Sequence, residues 1–517
     1  MLDSDRYDVI VLGTGLAESI AAAALAKAGK SVLHLDPNEY YGGEQASLTL
    51  DELVAWAEAR GAESSEPSSS ESSSSWTATP YGSSQRAIYT HCSTTGLGSL
   101  AQDRRRYALS LFPALMVSRG TLVSTLISSD VAKYVGFRLL DGVSMWDASS
   151  DSPRRVPGSK EDVFRDKWIS LPEKRKLMNA LLFAGGEFEE DEVFKGELSS
   201  WSHELIPGAG GKDMLAFLKE TFALPDHLAQ AVAYAVSFAT PEEQSVPALV
   251  RARRYLRSIG RYGPSAFLVG QYGGAGEVAQ GYCRACAVFG GTYVLGPEAM
   301  PEIEAAGADS AAGDDAKDQG GVQVKVPAHP TPLRATHLVT SPFFLAKVTK
   351  ASGSEKNVTA HAVAVVTSQP GCLKRPAKED EEAEDDDTGV VIFPPTDNSP
   401  LVRALIMGEG TGSCPAGQWV VYLFSELEGE KDPKELLRPY LEKIGGEVAF
   451  EAYYLAHRAK DTQEAPEGVV LVQPYSGRHM LTEGLDWEAE QGEKAFRAVL
   501  PEGEFFPKPE GEEDEDE

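Results

Sequence analysis

Residues 6–44, RYDVIVLGTGLAESIAAAALAKAGKSVLHLDPNEYYGGE, constrain the fold more than any other stretch of the chain. Residues 7–12 are apolar and rich in β-branched side chains, the pattern of a buried strand. Gly13-Thr14-Gly15 makes a tight turn. Residues 20–28 are small and apolar and suit a helix lying close against a sheet; Gly29 stops that helix, and residues 31–35 form a second strand that ends at Asp36. This βαβ unit is of the dinucleotide-binding kind and predicts an α/β fold. One position departs from the pattern. The third glycine of G-x-G-x-x-G falls at residue 18, where the chain has Glu18. In a working site the pyrophosphate sits at this helix N-terminus, held by backbone N–H groups and the helix dipole. A carboxylate there repels the phosphate and fills the space that a glycine leaves open. Gly13, Gly15 and Glu18 therefore read as a degenerate cofactor site, and the expectation is a nucleotide fold that binds no cofactor. A harmless variant in an active site is the competing reading.

Composition narrows the class. With 517 residues the chain is long enough for two domains, and no run approaches the ~20 apolar residues of a membrane span. Five cysteines, an odd number in a long chain, predict a reducing, cytoplasmic setting. The first strand begins at once and the last residues are EGEEDEDE, so neither a signal peptide nor a lipidation box is expected. The net charge of -30 argues against nucleic acid and against direct binding to anionic membranes. Much of that charge lies in residues 379–387 and 510–517, which read as solvated runs.

The chain alternates in character. A helix is expected over 50–60, then a serine-rich low-complexity segment. Residues 108–137 predict a short strand and two helical stretches, and 138–145 a strand on a hairpin. From 156 to 247 the pattern is helical, with helices over 174–183, 214–222 and 228–238, followed by a basic helix over 250–259. Strands then alternate with loops until a last helix over 485–499. The expected organisation is a discontinuous α/β domain, residues 1–150 and 249–508, interrupted by a small all-α domain at 151–248. Flexible insertions are expected at 61–75, 305–321 and 376–388, with an acidic disordered tail at 509–517.

Catalytic signatures are missing. Cys283 and Cys286 form a C-x-x-C without a second ligand pair, so i,i+3 packing on a helix explains them better than zinc. The nine histidines form no H-x-x-x-H, and neither G-x-S-x-G nor a P-loop occurs. The reading moves from catalysis towards binding, with no metal.

Several blocks then fit one family. YDVIVLGTGLAES, DPNEYYGGE, PALMVSRGTLVSTL, RYGPSAFLVGQYGGAGE and FGGTYVL, in this order, resemble the Rab GDP-dissociation inhibitor and Rab escort protein superfamily. The resemblance implies a flavoprotein-like, GDI-type first domain without flavin, and a small helical domain. The first would bind the switch regions of GDP-bound Rab GTPases, and the second their geranylgeranyl lipid. By resemblance the Rab platform comprises Tyr41, Glu277, Arg284 and Tyr293; an internal Glu277–Arg284 ion pair across two helical turns is the structural alternative. Val294 stands where the family has methionine. Leu122, Val123 and Leu126 are read either as an apolar patch for the Rab C-terminal tail or as ordinary core.

Residues 156–178 resemble the escort branch, in which a phenylalanine and an arginine eleven residues later contact the Rab geranylgeranyl transferase; here these are Phe164 and Arg175. An ordinary core position is the alternative reading of Phe164. Gly158 departs from the cysteine or serine expected there. Burial of the lipid, at ~0.8 kcal/mol per CH₂ group, would offset much of its membrane affinity. Leu177, Met178, Leu181, Val232, Ala235 and Val236 are the candidate lining, and all six also suit an ordinary core. The expectation is thus a non-catalytic escort protein that presents Rab to the transferase and carries the product to membranes. A Rab GDP-dissociation inhibitor is the alternative, and a flavin-dependent oxidoreductase the second.

Overall fold

The computed structural model describes residues 2, 4–61, 79–157, 160–166, 169–187, 211–304, 321–327, 329–345, 356–375, 385–459 and 465–506. The insertions expected at 61–75, 305–321 and 376–388 fall almost wholly outside these residues, and the acidic tail at 509–517 lies outside them entirely.

The opening unit folds as its pattern demands. The strand Arg6–Leu12 pairs in parallel with Val32–Asp36, and the helix Leu16–Lys27 connects them. Among the described residues these strands belong to a seven-stranded sheet in the order Thr292–Leu295, Val32–Asp36, Arg6–Leu12, Leu333–Thr340, Val322–Lys325, Glu302–Glu304, with Val469–Leu471 also pairing with Leu333–Thr340. The alanines of the first helix are fully buried because two helices press on it, Ala275–Val288 and Met480–Val499. Gly492 shows how close that approach is. A Cβ there would lie 2.7 Å from Ile20 Cγ2 and 3.0 Å from the Ala17 carbonyl oxygen.

A second, eight-stranded sheet runs Tyr89–Thr95, Val448–Ala459, Lys356–Val366, Trp419–Leu427, Val402–Met407, Thr388–Phe393, Val143–Asp147, Ser152–Arg155. One face packs on the helix Pro433–Ile444. The other shares a core with the helical segment. The single strand expected over 138–145 is two strands, and the expected hairpin is the one that Val143–Asp147 makes with Ser152–Arg155. Phe137–Leu139 pairs in a small sheet with Phe267–Gly270, whereas Val143–Asp147 joins the large one. Between them, Asp141 turns the chain and accepts hydrogen bonds from the Thr388 N–H and hydroxyl, both at 2.9 Å.

The helical segment does not start at 151, since Ser152–Arg155 is an antiparallel strand against Val143–Asp147. Among the described residues its helices are Lys160–Arg165, Leu171–Leu182, Met214–Phe222, Asp226–Gln230 and Ser245–Ser258. The last packs on the Phe183–Glu187 turn and on Met214–Phe222, so it belongs with them rather than with the return to the sheet. Ser170 and Glu173 form a capping box that starts Leu171–Leu182. The helix expected over 228–238 widens into a π-helical turn at Ala231–Val236 and ends at Phe238, whose φ of 48° turns the chain sharply. The Phe238 carbonyl at this corner accepts hydrogen bonds from Arg403 at 3.0 Å and from His479 at 3.1 Å.

Candidate functional site

Two places deserve description, the crevice over the glycine turn and the surface above it. In the crevice Glu18 is 6 % exposed, and its carboxyl curls back over Gly15. Burial, then the charges of Glu488, Glu44 and Asp36, holds the Glu18 carboxyl far above the usual carboxylate range. Glu488, from the last helix, is pushed up to about 8, by burial first and Glu44 second. Asp36, where this fold places a ribose-binding carboxylate, already accepts hydrogen bonds from the Thr14 N–H at 2.7 Å, the Thr14 hydroxyl at 2.6 Å and Asn38 at 2.8 Å. Glu44 is paired with Arg458 and accepts from the Tyr89 hydroxyl. The Phe344 ring covers Gly13 and stacks on Tyr81, with centroids 4.7 Å apart. Four carboxyl groups and an aromatic cover do not fit a pyrophosphate.

The surface is reached through His34, which periodicity alone could not single out. His34 is buried, and burial lowers its pKa to about 4, so the ring is neutral. Its Nε2–H donates to the Gly13 carbonyl at 2.6 Å, and its Nδ1 accepts from the Tyr293 hydroxyl at 3.1 Å. The Tyr293 ring meets Tyr41 edge-on, with centroids 6.0 Å apart. Two of the four platform residues are thus brought together, both only half-buried.

The other two stand on the helix Ala275–Val288, which packs against the Gly43–Gln45 turn that follows Tyr41. Glu277 is half-buried, and burial raises its pKa. Arg284 is exposed and lies over the Tyr134 ring, 4.7 Å from its centroid. The internal Glu277–Arg284 pair does not form among the described residues; the guanidinium faces a ring instead. Val288 and Phe289, 66 % and 45 % exposed, extend this outer face. Cys283 and Cys286 point inward from the same helix, and no group of three metal-ligating side chains occurs among the described residues.

Leu122, Val123 and Leu126 are a correction to the patch reading. All three are buried in the core beneath the first sheet, because their helix Thr121–Ser128 is covered by the last helix. Ile127, half exposed, is the apolar side chain that this helix offers to solvent.

On the helical segment Phe164 is 61 % exposed, which removes the core reading, and Leu171 is equally exposed. The Phe164 carbonyl accepts from Lys174 Nζ at 2.7 Å, which ties the short Lys160–Arg165 helix to the next one, where Arg175 is also exposed. Leu177, Val232, Ala235 and Val236 are buried in one core cluster, and the half-buried Met178 and Leu181 pack against it.

The comparisons follow this geometry. A profile of the GDP dissociation inhibitor family matches residues 2–77 and 89–363. The chain belongs to that family. It is similar to "Rab proteins geranylgeranyltransferase component A" of Drosophila melanogaster, 28% identical over 98% of this chain and 91% of the relative. The protein of the same name from Saccharomyces cerevisiae is 29% identical over 83% of this chain and 62% of its own length. A guanosine nucleotide diphosphate dissociation inhibitor of Arabidopsis thaliana is 26% identical over 87% of this chain and 86% of its own. Among solved structures, Rab GDI from Plasmodium falciparum superposes with a TM-score of 0.65 at 18% identity, over 96% of this chain and 98% of that one. An oxidoreductase from Methanosarcina mazei superposes with 0.51 at 12% identity, over 94% and 99%, so the family shares its fold with redox enzymes. No helix among the described residues is long and apolar enough to cross a membrane.

Proposed function

We propose that this chain is a Rab escort protein. It binds GDP-bound Rab GTPases, presents them to Rab geranylgeranyl transferase, and chaperones the prenylated product to membranes. In this reading it is a non-catalytic partner of the transferase that works in the cytoplasm and touches membranes only on delivery. The observation that carries the reading is the placement of Phe164. An aromatic side chain held in solvent on a tethered two-turn helix, next to exposed Leu171 and Arg175, has the composition of an interface hot spot. The names of the relatives support the same branch.

Tyr41, Glu277, Arg284 and Tyr293 form the Rab-binding platform in this proposal. Its anchors are half-buried rings beside an exposed guanidinium. The lipid enters between Leu177, Met178, Leu181, Val232, Ala235 and Val236 as their helices part, because four of the six are buried among the described residues. The π-helical turn Ala231–Val236 and the Phe238 corner mark where that opening would hinge.

The test is geranylgeranylation of an unmodified Rab by purified transferase, with this protein, without it, and with Phe164→Ala. Modification that requires the protein and falls at least tenfold in the variant supports escort. Modification independent of the protein, with extraction of prenylated Rab from membranes intact, assigns it to the recycling inhibitors.

A further inference from the structure

The crevice holds two carboxyl groups that the Rab chemistry does not use. Glu18 and Glu488, 6 % and 2 % exposed, approach it from the first and last helices. Every other charged group facing the space is occupied. Glu44 pairs with Arg458, and Asp36 is saturated by Thr14 and Asn38. Arg60 donates to Gln85 Oε1 at 2.6 Å and lies over Trp56. Neither Glu18 nor Glu488 forms a close ion pair among the described residues, although the Arg458 charge acts on Glu488 from its place beside Glu44. Moreover, Glu488 Oε1 has no hydrogen-bond partner at all and lines the cavity. Gln85 Nε2, on a side chain only 2 % exposed, lines the same cavity and is likewise without an acceptor.

An orphan acceptor, an orphan donor and a second buried carboxyl around one space form a polar site with its ligand missing. Its chemistry excludes several classes. Phosphates and carboxylates would meet the lone pairs of carboxyl oxygens, whereas a cation can take the place of a carboxyl proton. Magnesium or calcium needs a cage of several oxygens, and no three-residue ligating group is present among the described residues. A potassium or ammonium ion gives up its hydration water at far lower cost and can keep the rest, and it tolerates the aromatic rings of Tyr81 and Phe344 that line the crevice.

We propose that the crevice beside the glycine turn binds one potassium- or ammonium-sized cation, held by Glu488 Oε1 and the Glu18 carboxyl. A water on its open side then supplies the acceptor that Gln85 Nε2 lacks. The fold's anion site has thus become a cation site, with Glu18 in place of the third glycine as the residue that reverses its preference.

The test uses the full chain at constant ionic strength, with potassium chloride against tetramethylammonium chloride, whose cation is too large for the crevice. Constant ionic strength matters because the net charge of -30 attracts any cation. The expected result is a thermal midpoint roughly 1–2 °C higher in potassium, saturable, and absent in Glu488→Gln but retained in Glu493→Gln on the exposed side of the same helix. Crystals soaked in rubidium should show an anomalous peak within contact of Glu488 in the wild-type protein, which needs no variant to fold. Equal midpoints in the two salts, an effect that survives Glu488→Gln, or rubidium found only at surface carboxylates overturns the proposal.

Discussion

The crevice and the surface above it are built by the same βαβ unit, yet they treat polar groups in opposite ways. In the crevice nearly every group faces another part of the chain: Thr14 and Asn38 hold Asp36, Arg458 holds Glu44, and Phe344 lies over the glycine turn. On the surface Arg284, Tyr134, Val288 and Phe289 face outward. In enzymes of this fold the inside recognises the ligand. Here most of the inside is tied up by the chain's own groups, and in the proposed function the outside recognises the partner. His34 joins the two, with the glycine turn on one side of its ring and Tyr293 on the other.

If that contrast is right, equivalent mutations should have unequal effects. The largest is expected for Arg458→Ala. It strips the partner from Glu44 and the cation that acts on Glu488, and should cost about 3–5 kcal/mol in urea-monitored unfolding. A loss below 1 kcal/mol would mean that the crevice is solvated rather than structural. Gly492→Val comes next, since its side chain would collide with Ile20 and the Ala17 carbonyl. Overpacking between these helices should cost roughly 1–3 kcal/mol, read from the same denaturation curves.

A pH titration sharpens the comparison further. Glu488 titrates near 8 when folded, against an unperturbed 4.5, so the folded state holds a proton that the unfolded chain has released. Its contribution is complete below about pH 4.5 and is lost as pH rises towards 8. Glu243 behaves in the opposite sense. Its folded pKa of about 2 reflects hydrogen bonds and charge from His479 and Arg251 that outweigh burial, so its contribution is present above 4.5 and lost as pH falls towards 2. Stability measured in tetramethylammonium buffers should therefore decline between pH 5 and 8, and Glu488→Gln should flatten that decline. An unchanged slope in the variant would assign the decline to another group.

The smallest effect on stability belongs to the surface. Arg284→Ala removes one exposed cation–π contact and should change stability by about 0.5 kcal/mol. Rab affinity measured by titration calorimetry should nevertheless fall more than tenfold. A variant that loses stability but keeps affinity would place the platform elsewhere.

By itself the sequence determined the local grammar. The spacing of β-branched and small residues in 6–44 dictated strand, turn, helix and strand, because each period is set by backbone geometry within a few residues. Glu18 announced a broken phosphate site for the same reason, since a carboxylate at a helix N-terminus acts locally. The family motifs lay in the sequence too. Tertiary structure decided which apolar side chains meet solvent. Leu122, Val123 and Leu126 are as apolar as Val288, yet they are buried because the last helix lies across them, while Val288 at the end of Ala275–Val288 is 66 % exposed among the described residues. It also decided partnership over long separations. Arg284 could have met Glu277 along its own helix, but Tyr134 stood nearer. Glu488 faces Glu18 only because the final helix returns to the first, and no periodicity records that return.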